Sequence, residues 1–341
     1  MNGLADSLKT AVIEYCSTIG ADPLLVQGAG GNVSWKNGDT LWVKASGTWL
    51  AEAAEKNIFV PVDLQHLRTA IKSGNFSVTP RLQGASVLRP SIETLLHALM
   101  PHRVVVHLHA IEILAHLVRD GSNVDLQSLL GTSVDWTMVD YYKPGVALAN
   151  AVNEALDQKP SVDVIFLKNH GVVIGGVDVA EVSYTLNILT TALSTTPTSI
   201  CSKPYAELPN IFESTQYIPV QDNDIHQLAI NTDLFNRLDS DWALCPDHVV
   251  FLGAQASVFR TWGAFREENM TQKVQPELVF ILGEGVFVKS TFSEAQHAQL
   301  RCYYDLLVRQ NHLSSISILT DAQIAELLNW DAEQYRMNLS K

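Results

Sequence analysis

The chain has 341 residues, 47% of them apolar and 17% charged, with 23 Lys+Arg against 36 Asp+Glu. That length suits about two domains with a sizeable core, and the apolar content is too high for intrinsic disorder. A net charge of −13 works against an electrostatic grip on nucleic acid or anionic lipid, and a charged fraction below the ~25% of ordinary soluble domains suggests buried subunit interfaces.

The first twenty residues contain no basic stretch followed by a continuous apolar run, and no segment approaches the ~20 apolar residues of a membrane span. Cys16, Cys201, Cys245 and Cys302 have no paired spacing, so neither a disulfide framework nor a cysteine-ligated zinc is expected. Together these point to a cytoplasmic protein of enzyme size.

In chain order, Leu4, Leu8, Val12, Tyr15 and Ile19 recur at helical spacing and predict an amphipathic helix over 4–19, stopped by Gly20 and Pro23. Two alternating runs, 33–36 and 39–43, flank Asn37-Gly38 and predict a hairpin with a type I′ turn. A helix is expected over 63–72, and another over 91–100 with Ser91 as its N-cap and Pro101 as its stop. Arg103–His109, Ser161–Leu167 and Val172–Ile174 are strand-like, and 178–194 is a helix with a buried stripe of Val179, Val182, Leu186 and Leu189. Strands mixed with long helices predict a layered α/β or α+β domain. Ser, Thr and Pro cluster between about 196 and 215, which places a domain boundary there: a catalytic domain over 1–205 and a smaller α+β appendage over 206–341. In the appendage, strands are expected at Val249–Leu252 and over Glu277–Lys289, folded at 283–285. A helix follows at 294–309, and Ser293 with Gln296 and Thr320 with Gln323 have capping-box spacing.

The chemistry concentrates in the first domain. Side chains alternate along a strand, so His107 and His109 share one face and can converge on one cation, although such a pair can equally fill a core. His170, in the corner Lys168-Asn169-His170-Gly171, is either a turn residue capping a carbonyl or a third ligand that leaves a coordination position open. Glu93 opens the 91–100 helix, where a carboxylate also suits the helix dipole. His97, one turn on, packs or orients rather than ligates, and His102 and His116 read as ordinary surface or helix histidines. Gly28-Ala29-Gly30-Gly31-Asn32 is a glycine-rich loop that is neither a Walker A sequence nor placed as a dinucleotide fingerprint. With the turn Ser46-Gly47-Thr48 it suggests an oxyanion or phosphate cradle.

In combination these segments resemble the class II aldolase/adducin family. Residues 28–34 resemble its Gly-Thr/Ser-x-Gly-Asn-x-Ser loop, 45–48 its Pro-Ser-Gly turn, and Ser91-Ile92-Glu93 with His97 its Ser-x-Glu-x3-His segment. Residues 106–110 resemble its Val-His-x-His-x strand, 167–171 its Asn-His-Gly corner, and Tyr142-Lys143-Pro144-Gly145 the stretch before its next helix. Cys245-Pro246-Asp247-His248-Val249, with the hairpin and helix after it, resembles the middle region of fused rhamnulose-phosphate aldolase/alcohol dehydrogenase proteins, without a dehydrogenase part.

The resemblance implies a three-layer α/β/α domain that assembles as a cyclic homotetramer. It also implies a zinc-dependent lyase in which His107, His109 and His170 hold Zn²⁺ or another divalent metal and stabilise an enediolate from a ketose or ketose phosphate. Glu93 is then the general acid/base, and Gly28, Gly30, Gly31, Asn32, Ser46, Gly47 and Ser91 hold the phosphate. Ala29 and Ile92 stand where the family often has hydroxyl residues, which removes donors from that pocket unless Arg89 or Lys44 compensates. The family also includes a sugar-phosphate epimerase, a dehydratase, decarboxylases and the metal-free adducin scaffold, so the reaction stays open at this level.

Overall fold

The computed structural model describes residues 2–198, 216–269, 275–311, 315–328 and 330–331. The chain divides into two compact units, Met1–Thr195 with Asn329–Ser340, and Thr196–Leu328.

The first unit contains α1 (Asn2–Gly20), β1 (Asn32–Asn37), β2 (Thr40–Lys44), β3 (Phe59–Asp63), α2 (Leu64–Lys72), α3 (Thr94–Leu99) and β4 (Val104–Leu108). It continues through α4 (Ile111–Leu117), α5 (Ser122–Leu130), β5 (Trp136–Val139), α6 (Val146–Gln158), β6 (Val164–Leu167), β7 (Gly171–Gly176) and α7 (Val179–Ala192). Its strands form one sheet in the order β3-β2-β1-β4-β7-β6-β5, antiparallel except for β5 beside β6. On one face Val105, Ile165, Leu167 and Val173 pack against Leu96 and Met100 around α3 and Leu148 and Val152 of α6, with α2 alongside over β2 and β3. α1, α4 and α7 contact β1, β4 and β7, and Val104, Val106 and Ile174, of opposite pleat parity, are fully buried there. The result is the expected α/β fold, a central sheet with helices on both sides.

Local chemistry accounts for most of the element ends. In α1, Leu8, Val12, Cys16 and Ile19 are buried as one stripe, while Tyr15 is half-buried. Asp63 caps α2 by accepting from His66 N–H at 2.9 Å, and Asp178 caps α7 by accepting from Glu181 N–H at 3.0 Å, each worth about 1 kcal/mol.

Two expected details shift. The hairpin ladder pairs Asn37 with Thr40, so the loop residues are Gly38 and Asp39. Only Gly38, at φ +58°, is left-handed, which is the sign pattern of a type II′ turn with glycine first rather than type I′. The helix after Pro90 begins at Thr94, not at Ser91. Ser91 instead accepts from Glu93 N–H through its hydroxyl at 3.2 Å, and its carbonyl accepts from Thr94 N–H at 3.1 Å. Glu93 therefore stands in a non-helical turn at φ −97° and ψ 16°.

The second unit contains β8 (Tyr217–Pro219), α8 (Gln227–Ile230), α9 (Thr232–Arg237), α10 (Pro246–Leu252), β9 (Val258–Phe259), α11 (Trp262–Asn269), β10 (Leu278–Ile281), β11 (Gly285–Lys289), α12 (Glu294–Leu307) and α13 (Asp321–Leu327). Its four strands are ordered β8-β11-β10-β9. Val249–Leu252, expected as a strand, lies in α10. Extended Cys245, Pro246 at the first helical position and Asp247 in the first turn together start a helix, whose apolar run is then buried as a helical face. Both expected capping boxes are present, at Ser293/Gln296 before α12 and Thr320/Gln323 before α13. Cys16, Cys245 and Cys302 are buried and form no disulfide among the described residues, while Cys201 lies outside the described residues.

Candidate metal centre

β4 delivers His107 from its last full pleat, and His109 follows just past the strand end. The β6–β7 corner delivers His170. There Asn169 adopts φ +53°, the sole positive φ of a non-glycine residue among the described residues, a conformation that asparagine tolerates better than most. His170 N–H closes the corner on the Leu167 carbonyl at 3.1 Å. A Cβ on Gly171 would stand 2.3 Å from the Leu108 carbonyl oxygen and 3.1–3.2 Å from ring atoms of His109 and His107. Only glycine lets the two strands come close enough for the three histidines to meet.

They do meet. One ring nitrogen from each of His107, His109 and His170 lies within 4.8 Å of the others, and all three side chains are buried. The Nε2 atoms of His107 and His109 are 3.3 Å apart; two nitrogens bound tetrahedrally at ~2.0–2.1 Å would be separated by about that distance. On its far side His107 Nδ1 lies 3.1 Å from the Val172 carbonyl. A carbonyl can only accept, so Nδ1 carries the proton and Nε2 presents its lone pair to the cluster.

Glu93 completes the group. Its carboxylate oxygens stand 3.5 Å from His170 Nε2 and 3.6 Å from His107 Nε2. Oε2 accepts from Asn32 Nδ2 at 2.8 Å, whereas buried Oε1 has no hydrogen-bond partner among the described residues. An orphaned carboxylate oxygen facing three converging imidazoles fits a divalent cation or a protonated ligand between them. Among the described residues this is the one cluster of three or more His, Cys, Asp or Glu with metal-binding spacing.

One layer behind, Ser34 Oγ and His97 Nδ1 are 2.8 Å apart and both side chains are fully buried. Burial first, then the charges of His107, Lys36 and Lys44, hold His97 well below the usual imidazole range, against a hydrogen bond to the Val105 backbone, so the ring is neutral. His97 therefore faces Ser34 rather than the histidine cluster, and this pairing with Ser34 escapes a motif reading. The signal was available in the paired spacings Asn32/Ser34 and Glu93/His97. His102 contacts Asp163 at 2.9 Å, and His116, expected as an ordinary helix or surface residue, is buried with Nε2 3.0 Å from the Leu193 carbonyl.

The glycine-rich loop and its companion turns gather around the same end of the sheet. Buried Lys44 donates to the Ala29 carbonyl at 3.0 Å, and an isolated bridge pairs Ala45 with Pro90, which sets Ser46 and Gly47 beside Ser91. Gly31 packs closely on the His107 carbonyl, while Gly28 turns the chain with φ +57°. Several groups of the expected cradle are already engaged: Gly30 N–H donates to Gln27, Ser46 N–H to Arg89 and the Asn32 amide to Glu93. The Ser91 hydroxyl accepts from Glu93 N–H and can still donate to a ligand, alongside the Ser46 hydroxyl and Gly47.

The sequence profile of the family described as Class II Aldolase and Adducin N-terminal domain matches residues 10–196, more than half of the chain. The chain belongs to the class II aldolase/adducin family. A Bacillus subtilis (strain 168) protein named as the uncharacterized oxidoreductase YuxG is 29% identical over 182 residues, 49% of this chain and 26% of that protein. The chain thus spans about a quarter of that relative's length. Among solved structures, the N-terminal class II aldolase domain of a conserved Thermoplasma acidophilum protein is 27% identical, covering 53% of this chain and 90% of that one with a TM-score of 0.45. A sugar-phosphate aldolase from Thermotoga maritima is 17% identical, covering 56% and 93% with a TM-score of 0.44.

Proposed function

We propose that this class II aldolase family member is a metal-dependent carbon–carbon lyase that cleaves a ketose or ketose phosphate. The observation that carries the reading is the buried convergence of His107, His109 and His170, with the Glu93 carboxylate 3.5 Å from His170 and 3.6 Å from His107. The three imidazoles are the ligand set for Zn²⁺ or another divalent ion. Such an ion, when bound, supplies the Lewis acidity that stabilises negative charge developing on a substrate carbonyl oxygen.

The chain's own groups do the rest. Val172 keeps the proton on His107 Nδ1 and so keeps Nε2 available. Glu93 Oε1 moves a proton at the carbon next to the carbonyl, while Asn32 holds Oε2 and fixes the carboxylate's rotation. Gly28, Gly30, Gly31, Asn32, Ser46, Gly47 and Ser91 form the wall that receives the far, anionic end of the substrate. Residues 1–205 form the catalytic part and 206–341 an appendage, in a cytoplasmic homotetramer. The low charged fraction of 17% supports an extensive subunit interface, and the buried thiols, unbridged among the described residues, suit a reducing compartment.

Glu93→Gln tests the reading. It is expected to keep one metal per chain, read by elemental analysis, and to lose more than about 100-fold in aldehyde release from the ketose phosphate that the parent cleaves. Undiminished turnover would remove Glu93 from the chemistry. Epimer formation without cleavage, or loss of water or CO₂ in its place, would reassign the reaction to the epimerase, dehydratase or decarboxylase members. An intact fold that takes up no divalent metal would favour the scaffold role instead.

A further inference from the structure

We propose that Ser34 and His97 are a positioning pair that sets α3 on the sheet, so that the Glu93 carboxylate stands at the histidine cluster. The proposal rests on the reading of Glu93 given above and extends it to the residues behind it.

Helix α3 has six residues, too few to hold an orientation without packing. Glu93 precedes it in a non-helical turn and makes no capping bond, so the helix backbone alone does not aim its side chain. Two rungs tie this short helix to β1. Asn32 Nδ2 donates to Glu93 Oε2 at 2.8 Å, and Ser34 Oγ meets His97 Nδ1 at the same distance. Asn32 and Ser34 are two apart and share one face of the strand, while Glu93 and His97 are four apart. Four helical residues rise about 6.0 Å and two strand residues about 6.6 Å, so the two rungs are spaced nearly alike on helix and strand.

Each rung also stands over a cross-strand pair. Asn32 is the register partner of His107, and Ser34 that of Val105. Glu93 therefore sits above the Asn32–His107 pair and His97 above the Ser34–Val105 pair. With the first rung alone, the helix could pivot about Asn32. The second rung, fully buried at both ends, stops rotation and sliding together. It thereby fixes Glu93 relative to the strand that carries His107.

A polar pair that merely filled the core would lower stability without governing Glu93, and the two cases separate in metal-free protein. Urea midpoints of Asn32→Ala, Glu93→Ala and their double variant give the coupling of the first rung, measured in the parent and again with Ser34→Ala. The expected result is clear non-additivity in the parent and additive shifts in Ser34→Ala, with Ser34→Thr restoring the coupling. The same non-additivity in both backgrounds, or none in the parent, would overturn the proposal. Should Ser34→Ala fail to fold, His97→Asn takes its place. On a ketose phosphate that the parent cleaves, Ser34→Ala should lower kcat by about 10- to 100-fold with KM little changed. It should cost nothing further in the Glu93→Gln background, and an equal loss in both backgrounds would again overturn the pair. If the parent cleaves none of the sugars offered, the lyase reading fails while the urea cycle still decides the positioning pair.

Discussion

Buried histidines occur in both units, and the three of the cluster are handled unlike those of the second unit. His226, 1% exposed in the second unit, accepts from Val286 N–H through Nδ1 at 3.0 Å and donates from Nε2 to the Val220 carbonyl at 2.8 Å. Both ring nitrogens are spent on backbone, and the ring is a staple between two chain segments. His248, fully buried in α10, has neither nitrogen hydrogen-bonded among the described residues. Burial pushes its pKa down to about 4, and it packs as a neutral ring against Tyr303 at 5.4 Å. In the first unit, by contrast, the rings of His107, His109 and His170 lie 4.8–5.3 Å apart, centroid to centroid. Their nitrogens face one another, and His107 is braced from behind. Burial alone therefore does not mark a functional histidine. What marks it is where the lone pairs go.

That contrast can be broken or sharpened by substitution. The largest effect is expected from His107→Ala or His170→Ala, which should weaken Zn²⁺ binding by more than about 100-fold, measured by titration against a chelating dye. His226→Ala should leave the same titration at the parent value, and a comparable loss there would erase the distinction between the units. Next comes Gly171→Ala. Its methyl would meet the Leu108 carbonyl at 2.3 Å, so about 3 kcal/mol of stability should be lost and metal affinity with it. Unfolding in denaturant checks the first and the dye titration the second. His226→Ala itself should cost about 2 kcal/mol, because it strands the Val220 carbonyl and the Val286 N–H. A loss within error of zero would show that those groups find other partners.

The smallest effect is a pH slope. Lys36, a buried residue of β1, donates to the Met100 and His102 carbonyls. Burial, with a smaller contribution from Arg68, pushes its pKa from 10.5 down to about 7. Between those values the unfolded chain holds a proton that the folded protein lacks, so this residue makes stability rise with pH from about 7 to 10.5. Lys36→Met should flatten that slope. Urea midpoints at pH 7, 8 and 9 that keep the parent's slope would assign it to another group.

Much of the site was legible in the chain because its residues keep fixed spacings within single elements. His107 and His109 share one face of the strand run, His170 sits in an asparagine–glycine corner, and Glu93 comes just after the proline–serine pair expected to open a helix. The Asn37-Gly38 pair announced a hairpin, although the ladder chose Gly38 and Asp39 as the loop because strand register, not the dipeptide, decides which residues turn. Val249–Leu252 misled because four successive apolar residues, three of them buried, satisfy either period, and the deciding signal was Pro246 at a helix start. The Phe59–Asp63 strand gave no warning, since its identity depends on pairing with β2. The hydrogen bond from Asn32 to Glu93 is likewise a property of two distant segments brought together.

The cross-strand register of β4 with β7 has a consequence for how the molecule comes to exist. The β6–β7 corner closes locally, but β4 meets β7 only after the whole of α4, α5, β5 and α6 has been threaded between them. A slip of one residue in that late, non-local pairing would turn His107 to the opposite side of the sheet. Uptake of a metal ion during refolding would then be a stopwatch for a single event, the closure of the sheet's centre in the correct register. A chain that collapsed in any other arrangement would betray itself by leaving the ion in solution.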